Sequence, residues 1–266
     1  LRRTFEVPWY QVWVPYNWTR DASDIERREA YIAEQLKEFT RFLEKVTGRP
    51  FNWDRLQELI VKLKKIATLR AEVHQLCKTI PAPASLFDLS ISQAPVGLLL
   101  SQPGTVELFE LLKAEVEQRV AEKVSSVPNE RYRLFMDGLP PWFAFREFSE
   151  MFAGWGACVV ASGFVQLNLF WEPDWIDPER PLETLAKFLL RQRLNKSPEW
   201  LADDFIQLCR DYSVDGVLFH ATRTCRAALN FQPIVAELMS QRLGIPMCSF
   251  EGDMTDRSHW STAQVE

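Results

Sequence analysis

From Arg131 onward the sequence alternates short apolar runs with stretches of helical period, and that alternation limits the chain to very few folds. The runs are residues 131–136, 157–161, 214–220 and 245–250, bounded by Gly, Pro, Ser or Asp. Between them, Phe145, Phe148, Phe152 and Trp155 recur at helical spacing. Further helices are expected over Pro181–Leu194, over Pro198–Tyr212 with Ser197 as its cap, and over Ala227–Leu243, which Gly244 ends. Short runs that are apolar at nearly every position suit strands covered on both faces. Strand–helix–strand order makes such strands parallel. The expected class is therefore α/β, with a parallel-sheet lobe over 129–266.

The first half follows another rule. Ile25, Ile32, Leu36, Phe39, Leu43 and Val46 fall on one helical face, and Ser23 with Glu26 has capping-box spacing. Gly48 and Pro50 end that helix, and Asn52 starts a second, carrying Leu56, Leu59, Leu63, Ile66, Val73 and Leu76. Together they read as a long helical hairpin, with Lys62, Lys64 and Lys65 on a solvated face. Pro81–Gly104 shows no period and reads as a crossing loop, and a third helix runs from Thr105 to about Val124. Residues 21–128 thus form a helical connecting region. Residues 1–20, aromatic and β-branched, suit a strand, taken as the end of a truncated amino-terminal lobe. The chain opens on Leu1 and closes on residues 261–266, which read like a helix just beginning; the expectation is a piece of a longer protein.

Composition removes several function classes. With 47% hydrophobic and 25% charged residues the chain has material for a core, which excludes disorder. Its longest apolar stretch, Ala94–Leu100, is far shorter than the ~20 residues of a membrane helix, and no signal peptide is visible. A net charge of −5 argues against a nucleic-acid binder. Five scattered cysteines without a CxxC pair suit a reduced, cytoplasmic protein, and three histidines leave little for a conventional zinc site.

Open parallel sheets bind ligands at the carboxyl ends of their strands. Three segments qualify: 137–142, 220–226 and 251–257. Cys225 stands where a helix starts, flanked by Arg223 and Arg226, a setting that favours thiolate. It reads either as a nucleophile or soft-metal ligand, or as a small buried residue in a tight turn. Cys77, Cys158, Cys209 and Cys248 read as core or structural. His220 reads as a structural histidine, or with Cys225 as a nucleophilic dyad. Glu251 and Asp253 are candidate metal ligands or acid/base groups, or cap loop amides. Arg257 suits a phosphate, or pairs with Asp256 or Asp253. Trp142 and the aromatics of 142–175 either line a dry pocket or fill the core.

The run from Asp215 to Glu266, with its DG strand ending in His220, Cys225 followed by Arg226, the GIP at 244–246 and EGD…DR at 251–257, resembles the 2-hydroxyacyl-CoA dehydratase and benzoyl-CoA reductase family. The segments LEKVTGRPFNWDRLQELI, PAP at 81–83 and NERYRLFMDGLPPW extend the likeness over nearly the whole chain. The resemblance implies two Rossmann-like lobes and a core of two iron–sulfur subunits, each with a [4Fe–4S] cluster on three dispersed cysteines. Of these, Cys225 matches the last; the other two belong to the lobe absent here. It implies one-electron chemistry on a CoA thioester, with ferredoxin as donor and a separate ATP-hydrolysing activator, since no Walker-type loop occurs in this sequence. Dehydratases expel a hydroxyl group through a ketyl radical; benzoyl-CoA reductases dearomatise a ring. The aromatic 142–175 region is more similar to the reductases, with an aryl-CoA as substrate and with His220, Glu251 and Asp253 as candidate catalytic groups. Trp142, Arg223, Arg226 and Arg257 are then candidate substrate contacts. A cysteine hydrolase lacks an identifiable third group, and a non-catalytic interaction module accounts only for the helical hairpin.

Overall fold

The computed structural model describes residues 7–167 and 171–259. Residues 1–6 of the expected first strand, residues 168–170 within the 142–175 region and the expected helix start at 261–266 lie outside the described residues. The chain divides into two compact units, residues 1–67 with 171–197 and residues 68–170 with 198–266.

In the first unit, α1 (Ala22–Thr47) packs along α7 (Pro181–Arg191), an element far away in sequence. Ile32, Ala186 and Leu190 are fully buried in that seam, and Glu29 accepts from Arg191 at 2.7 Å within it. The cap of α1 differs from the sequence expectation. Asp21, not Ser23, accepts from the Asp24 amide at 2.9 Å, and Ser23 instead donates to Asp21. A carboxylate one turn ahead outcompetes the hydroxyl because it accepts both bonds. Gly48 ends the helix in the left-handed region, as expected. α2 (Trp53–Leu76) follows and runs on into the second unit after Ala67.

Residues 7–20 are extended but form no strand; their one ladder contact is an isolated bridge from Asn17 to Lys196. The reason is local. The backbone of Trp13 pairs with the side-chain amide of Gln35, donating at 2.8 Å and accepting at 2.9 Å, and Arg28 binds the Tyr16 carbonyl. Side chains of α1 thus take the place of a neighbouring strand. Trp9, Trp13 and Trp18 are exposed.

The second unit carries the sheet. Its four strands are β1 (Tyr132–Asp137), β2 (Ala157–Ser162), β3 (Gly216–Thr222) and β4 (Met247–Gly252). All neighbours are parallel, in the order β2-β1-β3-β4. Every residue of β2 is buried. α6 (Phe145–Gly154) connects β1 to β2, and its Phe148 meets Phe250 at 5.8 Å. α8 (Pro198–Asp211) precedes β3, and its Phe205 meets Phe135 at 4.9 Å. Burial of such large apolar side chains contributes about 1.5–3 kcal/mol each.

Three local expectations need correction. Pro81–Gly104 is not a plain loop: it contains α3 (Leu86–Ser90), opened by a Ser85–Asp88 capping box, and α4 (Gln93–Leu98), before α5 (Thr105–Glu122). Helices of one or two turns are too short to show a period. The single helix expected over 227–243 is two, α9 (Arg226–Leu229) and α10 (Gln232–Leu243). Pro233 lacks an N–H, and its ring excludes the carbonyl four residues back, so the helix restarts there. Cys248 is exposed rather than core, because β4 is an edge strand.

Candidate functional site

Strand order places the site. β1 leads to β2 on one side, and the chain then returns to β3 on the other side of β1, so direction reverses between β1 and β3. Such switch points open a crevice at the carboxyl ends of the strands. The three candidate segments converge there, all within the second unit.

They are sewn together by their backbones. The Arg223 amide donates to the Gly252 carbonyl at 3.0 Å, and the Trp142 amide donates to the Met254 carbonyl at 3.0 Å. Leu139 donates to Thr222 Oγ1 at 3.3 Å. Gly138 crosses directly over β3 with φ +113°, and a Cβ there would lie 2.2 Å from the His220 carbonyl oxygen. Only glycine permits that crossing.

His220 is the buried pin beneath the crossing. It lies inside β3 rather than at its end, fully buried, with its ring stacked on Phe250 at 4.8 Å. Its Nδ1 hydrogen-bonds the Leu139 carbonyl. A carbonyl only accepts, so Nδ1 carries the proton and Nε2 faces Gly252 as a bare, buried acceptor. Burial pushes its pKa below the ordinary histidine value. Among the described residues no hydrogen bond joins it to Cys225.

Asp253 is a loop cap. Its Oδ1 accepts from the amides of Thr255 and Asp256, each at 2.8 Å, and its Oδ2 accepts from Thr224 Oγ1 at 2.7 Å. These donors hold its carboxyl well below the usual range. Thr224 thereby ties the Cys225 loop to the β4 loop. Glu251 is exposed and pairs with Arg223 Nε at 2.8 Å, and Arg223 also contacts His259. Arg257 pairs with neither Asp256 nor Asp253. It donates to the Phe143 carbonyl at 3.3 Å and lies over the Phe143 ring. Arg226 is exposed and makes no ion pair among the described residues. Trp142 is partly exposed, stacks on Phe145 at 5.3 Å and meets the edge of Phe164 at 5.7 Å. The aromatics thus divide: Phe148 and Phe152 belong to the core, whereas Trp142 offers a surface.

Cys225 is half-buried and is the residue from which α9 starts. Since α9 is a single turn, it lacks the dipole of the long helix expected there. The three buried cysteines behave otherwise. Burial pushes the thiols of Cys77 and Cys209 up to about 12 and raises that of Cys158 further, so none is a ready ligand. Among the described residues no group of three or more His, Cys, Asp or Glu is placed to hold a metal. Of the five thiols, that of Cys225 is half-buried and that of Cys248 exposed.

Sequence reasoning missed Thr222, Thr224 and Gln232. Gln232 reaches from α10 to the His220 carbonyl at 3.3 Å and to Asp137 at 3.4 Å. Polar residues beside a strand end carry no distinguishing pattern in sequence. The π-turn at Gly163–Leu167 is equally hidden; there Gln166 caps the carboxyl end of β2 by accepting from the Ser162 amide at 2.8 Å.

Comparison with known proteins gives the context for this geometry. The family model described as 2-hydroxyglutaryl-CoA dehydratase, D-component, matches residues 1–266. The chain belongs to this family. It is 28% identical over 278 residues to a benzoyl-CoA reductase subunit of Thauera aromatica, covering 63% of that protein. It is 28% identical over 267 residues to the alpha subunit of (R)-2-hydroxyglutaryl-CoA dehydratase of Acidaminococcus fermentans, covering 54%. A third relative, the alpha subunit of lactoyl-CoA dehydratase of Anaerotignum propionicum, is 22% identical. All of this chain is matched in each case, and it spans little more than half to three-fifths of the relatives' length. Among the described residues, no helix is long and apolar enough to cross a membrane.

Proposed function

We propose that this chain is the carboxyl-terminal part of an iron–sulfur subunit of an ATP-dependent aryl-CoA reductase of the benzoyl-CoA type. The observation that carries the reading is one loop cluster, at the switch point of the sheet, that joins the family-matching Cys225 to an exposed aromatic platform, Trp142 on Phe145. Cys225 supplies one thiolate of a [4Fe–4S] cluster whose other ligands lie outside this sequence. When bound, such a cluster supplies single electrons at low potential.

The remaining roles belong to this chain. The face of Trp142 suits a flat aromatic acyl group, and with Phe145 and Phe164 it keeps water from the reacting centre. Arg226 and Arg257 suit the phosphates of CoA, because planar guanidinium groups bind phosphate oxygens in pairs. Arg223, held by Glu251, borders the same surface. His220 and Asp253 touch no substrate: they fix the loops. ATP hydrolysis belongs to a separate activator, and ferredoxin is the electron donor, both acting on this polypeptide together with a second one of the same family.

A 2-hydroxyacyl-CoA dehydratase is the second reading, favoured by equal identity to the Acidaminococcus fermentans relative and by the family's description. The test is product analysis with the full-length protein, its partner subunits, activator, ATP and a low-potential reductant under anaerobic conditions. Benzoyl-CoA should yield a ring-reduced thioester. Turnover of an (R)-2-hydroxyacyl-CoA to the enoyl-CoA, with benzoyl-CoA untouched, would replace the first reading by the second.

A further inference from the structure

Residues 223–230, the segment that leaves β3 and carries Cys225, are not held by packing. None of them is buried, α9 within them is a single turn, and the hydrophobic core resumes only at Phe231. Several of the segment's hydrogen bonds are local and move with it. The Cys225 carbonyl accepts from the amides of Ala228 at 3.2 Å and Leu229 at 3.1 Å, and the Cys225 amide donates to the Thr222 carbonyl, three positions back, at 3.1 Å. Such bonds shape the turn without fixing where it sits.

Among the described residues, its bonds to other elements come from Arg223 and Thr224. The Arg223 amide holds the base of the segment to the Gly252 carbonyl, and its guanidinium pairs with Glu251. Both partners of that ion pair are more than half exposed, and such pairs hold little. Thr224 differs. Its hydroxyl donates at 2.7 Å to Oδ2 of Asp253, a residue only 1% exposed. The other oxygen of Asp253 is fixed by the amides of Thr255 and Asp256 and by Thr255 Oγ1 at 3.2 Å. Asp253 is therefore a fixed peg, and a hydrogen bond to an ionised carboxylate belongs to the stronger class. The Cα atoms of Thr224 and Cys225 are ~3.8 Å apart, so the bond that holds one restrains the other.

We infer that Thr224 is the positioning residue of Cys225: its hydrogen bond to the Asp253 peg, in place of packing, fixes the thiol at the carboxyl end of β3. The inference rests on the reading of Cys225 as an iron ligand. A half-buried thiol that makes no hydrogen bond among the described residues fits that role. Without the bond from Thr224 the segment swings about its two ends, and the ligand sulfur spends less time in place.

The test uses the full-length protein, purified anaerobically, and reads two rates. One is the loss of iron to a chelator. The other is amide hydrogen exchange over residues 223–230 once iron has been removed, with α5 as the internal reference. Thr224→Val keeps the shape and removes the donor; it should speed both rates about tenfold or more, the size of a hydrogen bond to a charged group, with circular dichroism unchanged. Thr224→Ser restores the hydroxyl and should return both to the parent values. Thr255→Val removes a different hydroxyl from the same carboxylate and should leave both rates unmoved, because the two amides still hold Asp253. Parent-like exchange in Thr224→Val, faster exchange with iron loss unmoved, or equal effects of Thr255→Val and Thr224→Val would overturn the inference. A parent protein without iron, or a Cys225→Ser variant that keeps all of it, would instead overturn the cluster reading, and exchange alone then decides whether Thr224 holds the segment.

Discussion

Gly138→Ala tests the loop crossing on which the whole site depends. The new Cβ would sit 2.2 Å from the His220 carbonyl oxygen and 2.9 Å from its Cβ. Backbone cannot yield as a flexible side chain does, so the 138–142 loop must lift from β3. At φ +113° a non-glycine residue is strained by ~1–3 kcal/mol. Relieving the overlap by a backbone shift costs about 1–3 kcal/mol more. The sum, about 2–6 kcal/mol, is a large share of the 5–15 kcal/mol that typically holds a domain folded. Gly244→Ala is the control. It also has positive φ, +65°, but nothing lies within 4 Å of a Cβ there, so it should cost only ~1–2 kcal/mol. Urea denaturation followed by circular dichroism and by tryptophan fluorescence compares the two. Gly138→Ala should lose clearly more stability, and the fluorescence of Trp142 in that loop should change in the native baseline. Equal losses in both variants would refute the close crossing.

Two further predictions concern pH. Asp253 is held deprotonated by its amide and hydroxyl donors, so its folded carboxyl lies below its unfolded value of about 4. Its contribution is complete above that value and is lost as pH falls through the folded one. Asp253→Asn should therefore be less stable than the parent at pH 7, and the gap, read from urea midpoints, should narrow below about pH 4. His74 is buried as the neutral imidazole, its pKa pushed down to about 3 by burial and then by Arg70 and Lys78. Its contribution is complete above the unfolded value of ~6.5 and is lost as pH falls below it, by about 1.4 kcal/mol per pH unit. His74→Gln should flatten the stability profile between pH 6.5 and 4 by one proton. An unchanged slope would show that His74 charges freely in the fold.

Legibility in the sequence follows the range of the interactions. The four strands, the Gly48 and Gly244 stops and the 220–226 and 251–257 loops are all readable, because each depends on neighbours a few residues away. The seam between α1 and α7 is not, since Ile32 and Leu190 meet only after folding. The role of Asp253 is half legible: an acid after a strand end suggests a cap, but its bond to Thr224 spans 29 positions. Cys248 is misread from sequence because an apolar run does not reveal whether its strand is central or at the edge. Cys225 stands out correctly as a loop thiol. The helix behind it is misjudged where the period is followed through Pro233, whose missing N–H breaks it.

The most direct test of the site compares Cys225→Ser with Cys209→Ser in the full-length, anaerobically purified protein. Iron and acid-labile sulfide are measured, with folding checked by circular dichroism. A hydroxyl is a poor ligand for iron where a thiolate is a good one, so Cys225→Ser should lose or damage the cluster in a folded protein. Cys209, a buried core thiol of α8, should be replaceable with iron content retained. Full iron occupancy in the Cys225 variant would contradict the assignment of this loop cluster as the functional site.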